Sequence, residues 1–176
     1  MHQTPERTVT LWANDLSTHS VKKVRDKIEE LVAIDSTAWI TLEIMSSGGE
    51  CLPVYGLYDW IRGLNTPIQT IGYGQVSSMA VILFLAGKHR VVASHCFFVI
   101  HEMAQTYTQN SRLDISEHFG AINSLVFWEK RYIKTIRQRC KRPPSKKHLE
   151  EMIKAETRLT AKDALEWGLA HEILPK

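Results

Sequence analysis

Pro67-Ile-Gln-Thr-Ile-Gly-Tyr-Gly-Gln-Val-Ser-Ser-Met-Ala-Val-Ile-Leu-Phe-Leu-Ala-Gly87 is the stretch that sets the fold. Pro67 to Gly72 reads as a strand, and Ser77 to Ala86 as a buried helix stopped by Gly87. The segment between, Gly74-Gln-Val-Ser-Ser-Met79, lies where strand gives way to helix. Two similar units precede it. Thr8 to Trp12 is a short strand, followed over Ser17 to Leu31 by Val21, Val24, Ile28 and Leu31 at helical spacing. Trp39 to Ile44 is the next strand; a Ser-Ser-Gly-Gly turn at 46–49 leads into a helix lined by Val54, Leu57, Tyr58 and Ile61 that ends near Gly63. Arg90 to Ala93 and Cys96 to Ile100 add two strands. Strands alternating with helices of this length predict an α/β fold with mainly parallel pairing.

The second half changes character. From Asp114 to Cys140, apolar residues recur at Ile115, Phe119, Ile122, Val126, Ile133 and Ile136, and Asp114-x-x-Glu117 has the form of a capping box. One helix of this length would reach about 40 Å, more than twice the roughly 16 Å radius of gyration of a compact chain of this size. It is therefore expected to project and to pack on a partner subunit. Pro143 and Pro144 end it, Ser145 to Ile153 forms a short helix, Thr160-x-x-Asp163 caps a last helix closing at Gly168, and His171 to Leu174 is a final strand. The expected organisation is one domain over 1–176, with a head at about 8–112 and 155–176 and a handle-like helical region at about 113–154.

Composition narrows the classes. The chain has 176 residues, 44% hydrophobic and 23% charged, which suits one globular domain. The longest unbroken apolar run, Met79 to Ala86, is 8 residues, too short to span a bilayer, and the N-terminus carries no secretory h-region, so a cytoplasmic location with no membrane association is expected. Cys51, Cys96 and Cys140 form no CxxC pair and read as reduced structural thiols. A net charge of +3 gives no case for nucleic acid. The basic cluster Arg137, Arg139, Lys141, Arg142, Lys146 and Lys147 reads as a solvated helix end. No HExxH, GxGxxG or GxxxxGK[ST] pattern is present, and His89, His95 and His101 do not share a helix face, so neither metal nor cofactor is expected.

Chemistry concentrates in three places. Ser77 and Ser78 stand at a strand-to-helix junction, where unpaired backbone N–H groups favour a developing oxyanion; either could be nucleophile or plain N-cap. Gly48 and Gly49 follow a buried-type strand and permit close backbone approach. His101 ends the strand Cys96 to Ile100, a place for a general base. The acid that would orient the histidine has three candidates by pattern alone: Glu156, Asp163 and Glu172.

Ile44-Met-Ser-Ser-Gly-Gly-Glu50, Gly74-Gln-Val-Ser-Ser-Met79, Val99-Ile-His101 and the closing Leu159-Thr-Ala-Lys-Asp-Ala-Leu-Glu-Trp-Gly-Leu169, in this order and at these spacings, resemble the family of Clp protease proteolytic subunits (ClpP) from Thr8 onward. The resemblance implies a serine endopeptidase of crotonase-like fold, a spiral of ββα units whose long helix interlocks stacked rings of a homo-oligomer around peptide or unfolded-protein substrates. Matched residue by residue, Ser78 is the nucleophile, His101 the base, the N–H groups of Gly49 and Met79 the oxyanion donors, and Glu156 stands where the family usually has its catalytic aspartate. Three departures accompany the match. Glu156 is one methylene longer than aspartate. Ser47 replaces the proline usual before the glycines, which is expected to loosen that loop. Only seven residues precede Thr8, which leaves the family's axial gating loops and first helix, and with them docking to an AAA+ unfoldase ATPase, without a counterpart. A divergent or phage-type relative would look like this. Two other readings stand beside the active peptidase: a catalytically silent subunit that assembles with an active paralogue, and an acyl-CoA enzyme of the crotonase type, which would need no serine–histidine pair.

Overall fold

The structure, a computed structural model, describes residues 7–105 and 114–175. The residues ahead of Arg7 and the expected head–handle boundary at 112/113 lie outside the described residues. In chain order the elements are β1 (Thr8–Ala13), α1 (Thr18–Ile34), β2 (Ile40–Ser46), α2 (Cys51–Gly63), β3 (Ile68–Ser77), α3 (Met79–Leu85), β4 (His89–Val92), β5 (Phe97–Ile100), α4 (Ile115–Arg139), α5 (Lys146–Lys154), β6 (Thr157–Thr160), α6 (Ala161–Trp167) and β7 (Glu172–Ile173).

The strands pair in the order β1-β2-β3-β4-β7, all parallel, as the alternation of strands and helices predicts. Strand β3 differs from the sequence reading, which ended it at Gly72. It runs on to Ser77 because the Gly72-Tyr73-Gly74 segment bends the strand without ending it. Residues Gln69 to Gly72 pair with β4, and Gln75 to Ser77 leave that partner for β5. Gly74 takes the bend at φ +51°, and the register with β2 jumps from Ile44↔Gly72 to Ser46↔Val76. Strand β5 in turn pairs antiparallel with β6, from Phe97↔Thr160 to Ile100↔Thr157. This β6 was not read from the sequence: Thr-Arg-Leu-Thr buries a single apolar residue, Leu159, too weak a pattern to register.

The core forms where the parallel sheet meets α3. All seven residues of α3 are buried, and Phe84 meets Phe98 of β5 edge to face at 5.1 Å. Helix ends fall where the capping signals put them. Asp114 with Glu117 and Thr160 with Asp163 form full capping boxes, and Gly168 closes α6 in the left-handed region at φ +71°. Arg90, 3% exposed, ties the ends together. Its guanidinium donates to the carbonyls of Leu169 at 2.6 Å, Gly168 at 3.0 Å and Arg139 at 3.0 Å, so its charge rests against the negative ends of α6 and α4.

Helix α4 divides into two halves. Tyr132, Ile133 and Ile136 pack into the core, whereas the N-terminal half leaves Ile115, Phe119 and Ile122 at 76%, 63% and 55% exposure. Its 25 residues extend about 37 Å, and the apolar stripe of its first turns is left uncovered within the chain. Among the described residues no helix is long and apolar enough to cross a membrane.

Candidate functional site

The change of partner along β3 determines what happens at its end. Ser77, paired with Val99 of β5, is buried, and its hydroxyl accepts a hydrogen bond from Gln75 Nε2 at 2.7 Å. Ser78 donates its N–H to the Val99 carbonyl at 2.9 Å, and α3 begins at the next residue. To turn from strand to helix in one step Ser78 adopts φ +53°, ψ −126°, a conformation costly for a residue with a Cβ. Its side chain makes no capping bond to α3 and stands half-exposed. The two serines that the sequence leaves undecided are thereby separated: Ser77 is a buried, hydrogen-bonded residue, and Ser78 carries a hydroxyl with no hydrogen bond among the described residues, on a strained turn of the kind that presents nucleophiles.

The glycine loop lies directly against this turn. A Cβ on Gly48 would fall 2.5 Å from Ser78 Cβ and 3.1 Å from Ser78 Oγ, and Gly48 also has φ +110°, so only glycine lets the loop come this close. Gly49, which the family match marks as an oxyanion donor, faces the other way: its Cβ would meet the Leu16 nitrogen at 2.4 Å. Its N–H has no acceptor among the described residues, and the Gly48 N–H is taken by Ser46 Oγ at 3.2 Å. Met79 opens α3, so its N–H has no partner within the helix.

Serine at position 47 gives the loop a hydrogen bond that proline could not make. The Ser47 hydroxyl donates to the Asn14 carbonyl, Leu16 N–H donates to the Gly48 carbonyl at 2.7 Å, and Glu50 N–H to the Leu16 carbonyl at 2.9 Å. A rigid proline is thus replaced by a hydrogen bond to the segment after β1. That anchor was not legible in the sequence, because its partners are separated by more than thirty residues.

His101 stands one residue beyond β5 and is half-buried. Its Nδ1 lies 2.7 Å from the Glu102 carbonyl. A carbonyl only accepts, so Nδ1 carries a proton, and in the neutral ring Nε2 is the nitrogen left with the lone pair. Glu156 stands one residue before β6, and one further step along the register that ends at Ile100↔Thr157 sets it across from His101. His101 and Glu156 therefore lie one residue outside the β5–β6 ladder, and Ser78 lies one residue outside the β3–β5 ladder, level with Ile100.

The three acids left open by pattern are also sorted. Asp163 accepts from the N–H and hydroxyl of Thr160, and Glu172 faces His89 at 3.7 Å on the β4 side of the sheet. Glu156 is the one beside the histidine. Its side chain is exposed, however, and among the described residues no hydrogen bond joins it to His101 or joins His101 to Ser78. Sequence reasoning also missed that Cys51, at the start of α2, touches Met103 at 3.9 Å, linking the glycine loop to the residues after His101; burial pushes the Cys51 thiol above its usual pKa.

Comparison with known proteins places the chain in a family. The Clp protease family model matches residues 3–176. The chain is 27% identical over 146 residues to ATP-dependent Clp protease proteolytic subunit 2 of Streptomyces coelicolor, covering 82% of this chain and 65% of the relative. It is 25% identical over 174 residues to proteolytic subunit 1 of Corynebacterium efficiens, covering 96% of this chain and 79% of the relative. Against the Streptomyces relative the chain spans a little under two thirds of the length. Among solved structures, a ClpP1 variant from Listeria monocytogenes superposes with a TM-score of 0.83 at 19% identity, covering 97% of this chain and 92% of that one, which establishes the shared fold.

Proposed function

Because the chain belongs to the Clp protease family, we propose that it is a serine-type endopeptidase subunit working in the cytoplasm inside a homo-oligomer. The observation that carries the reading is the Ser78 turn: a half-exposed hydroxyl on a φ +53° residue, with Gly48 packed on it and His101 one residue beyond the strand that receives its N–H. In this reading Ser78 Oγ attacks the scissile carbonyl carbon and passes its proton to His101 Nε2. The N–H groups of Met79 and Gly49 hold the oxyanion. The imidazolium then protonates the leaving amine as the C–N bond breaks, and water, activated by the same nitrogen, releases the acyl group from Ser78.

Oligomer formation draws support from the exposed stripe Ile115, Phe119, Ile122 and Val126, which an isolated chain would leave in water. Substrates in this reading are peptides or unfolded segments admitted to the enclosed space.

A second reading, a silent subunit, is favoured by one observation: the described residues contain no hydrogen bond between Ser78 Oγ and His101. One experiment separates the two. The full chain and Ser78→Ala are treated with a fluorophosphonate probe while native mass is recorded. Labelling of a large oligomer that vanishes in Ser78→Ala is the expected result. An equally large oligomer that never labels overturns the active reading in favour of the silent one.

A further inference from the structure

The strongest clue outside the serine is what holds the histidine. A neutral imidazole has one N–H to give, and in this chain it is directed at a main-chain acceptor, the Glu102 carbonyl, at 2.7 Å. Nothing remains at Nδ1 for a carboxylate. Glu156 meanwhile has a complete structural explanation of its own. Helix α5 ends at Lys154, and Glu156 is the left-handed residue just past its C-cap, at φ +48°, with its N–H donating to the Ile153 carbonyl at 3.1 Å. That is the position usually given to glycine in a Schellman-type ending. The remaining bond of that motif is supplied by the next residue: the Thr157 hydroxyl donates to the Met152 carbonyl at 2.8 Å. The unusual backbone of Glu156 therefore serves the turn from α5 into β6, and its carboxylate extends into solvent.

Resting on the serine-peptidase reading above, we infer that the Glu102 main-chain carbonyl, and not the Glu156 carboxylate, is the group that orients His101, so that the chain works as a serine–histidine pair positioned by its own backbone. The carbonyl fixes the proton on Nδ1 and leaves Nε2 basic, which is the orienting task an acid performs in a triad. It adds no negative charge to stabilise the imidazolium, so the pair acylates more slowly than a triad would. Glu156 closes α5 and can be replaced.

The test uses the full chain and its Glu156→Gln, Glu156→Gly and Glu156→Asp variants. Two readouts are taken: the fluorophosphonate acylation rate at Ser78, and the protonated nitrogen of His101 by magic-angle-spinning NMR of 15N-histidine protein, assigned against His101→Asn. The expected result is acylation within about threefold of wild type in all three variants, against the roughly 10⁴-fold loss that follows removal of the orienting acid from a serine triad. Nδ1 keeps its proton throughout. Glu156→Gly, relieved of the left-handed strain, also melts roughly 2–4 °C higher. As a positive control on the carbonyl, Glu102→Gly, which frees that main chain, lowers the acylation rate, whereas Glu102→Gln does not. The inference is overturned if Glu156→Gln loses a hundredfold or more and Glu156→Asp recovers it, or if Glu156→Gln moves the proton to Nε2. Absence of labelling in wild type would count against the active reading alone, since the NMR result still decides which group holds the histidine.

Discussion

Replacing Gly48 with alanine isolates the contact between the loop and the serine. The added Cβ would stand 2.5 Å from Ser78 Cβ and 3.0 Å from the Ser77 carbonyl oxygen, neither of which is the flexible end of a side chain. Carbon atoms settle at about 3.5–4.0 Å, so something must move by about 1 Å. The φ of +110° adds strain of its own for an L-residue. Overpacking together with this backbone strain gives an expected destabilisation of about 2–4 kcal/mol, which for a chain of this length lowers the melting midpoint by roughly 4–16 °C. Chemistry is affected more. Displacing a reacting group by about 1 Å costs on the order of 100-fold in rate. The assay is second-order labelling of Ser78 by a fluorophosphonate, measured below the melting transition. Two comparators keep it specific. Gly49→Ala clashes with Leu16 on the far side of the loop, so it should cost stability with a smaller effect on labelling. Gly56→Ala, in α2 with nothing within 4 Å of the new methyl, should be stabilising by about 0.5–1 kcal/mol and label normally. Wild-type labelling and an unshifted melt in Gly48→Ala would refute the reasoning, because a Cβ cannot occupy that space without displacing the serine turn.

Ser47→Ala removes the hydroxyl that ties the loop to Asn14, at an expected cost of about 0.5–1.5 kcal/mol, and labelling should slow several-fold at unchanged native mass, with Ser47→Thr restoring it. No change in Ser47→Ala would mean that the bonds through Leu16 hold the loop alone. Phe119→Glu combined with Ile122→Glu puts two charges on the exposed stripe of α4 and should reduce the native mass with the circular dichroism spectrum intact; an unaltered mass would remove this face from the assembly. His171 has its pKa pulled down to about 4 by burial and by the charges of Arg90, His89 and Arg139, and it accepts the Arg90 N–H at 3.2 Å in neutral form. The unfolded chain therefore binds this proton more readily than the folded one, and stability falls as pH drops from about 6.5 towards 4. His171→Asn should flatten that part of the stability–pH curve, and a curve of unchanged slope would assign the acid sensitivity elsewhere.

The features that proved legible are those encoded locally. Both capping boxes, the Gly168 ending and the overlong α4 follow from residues within a turn of one another, and they stand where the sequence put them. What was misread depends on partners distant in the chain. Gly72 and Gly74 carry the local signature of a strand end, yet β3 continues through them because β5 is waiting for its last residues. Four residues of β6 with one buried leucine form a strand only because β5 supplies the other side of the ladder. The choice between Ser77 and Ser78 turned on a hydroxyl bond to Gln75 and a positive φ, neither visible in Ser-Ser. The pair of glycines likewise has two faces, and only the packing of Leu16 on one and Ser78 on the other tells them apart.

Strand β5 is what draws these separate segments together. It is four residues long, yet it pairs on one side with the end of β3 and on the other with the whole of β6. Adjacent strands are about 4.8 Å apart, so residues one step beyond a shared ladder are brought within a side chain's reach whatever their separation in sequence. His101 and Glu156 occupy that step on the β5–β6 ladder, and Ser78 occupies it on the β3–β5 ladder, level with Ile100. Two of the three, Ser78 and Glu156, sit at positive φ, because the chain must leave the ladder abruptly there, once into α3 and once out of α5. The strain at Ser78 releases a hydroxyl from local bonding, whereas the strain at Glu156 closes a helix. A positive φ thus serves two different ends, and the hydrogen bonds around each residue, not the sign of φ or its place in a family pattern, tell the strand-to-helix turn from the helix ending.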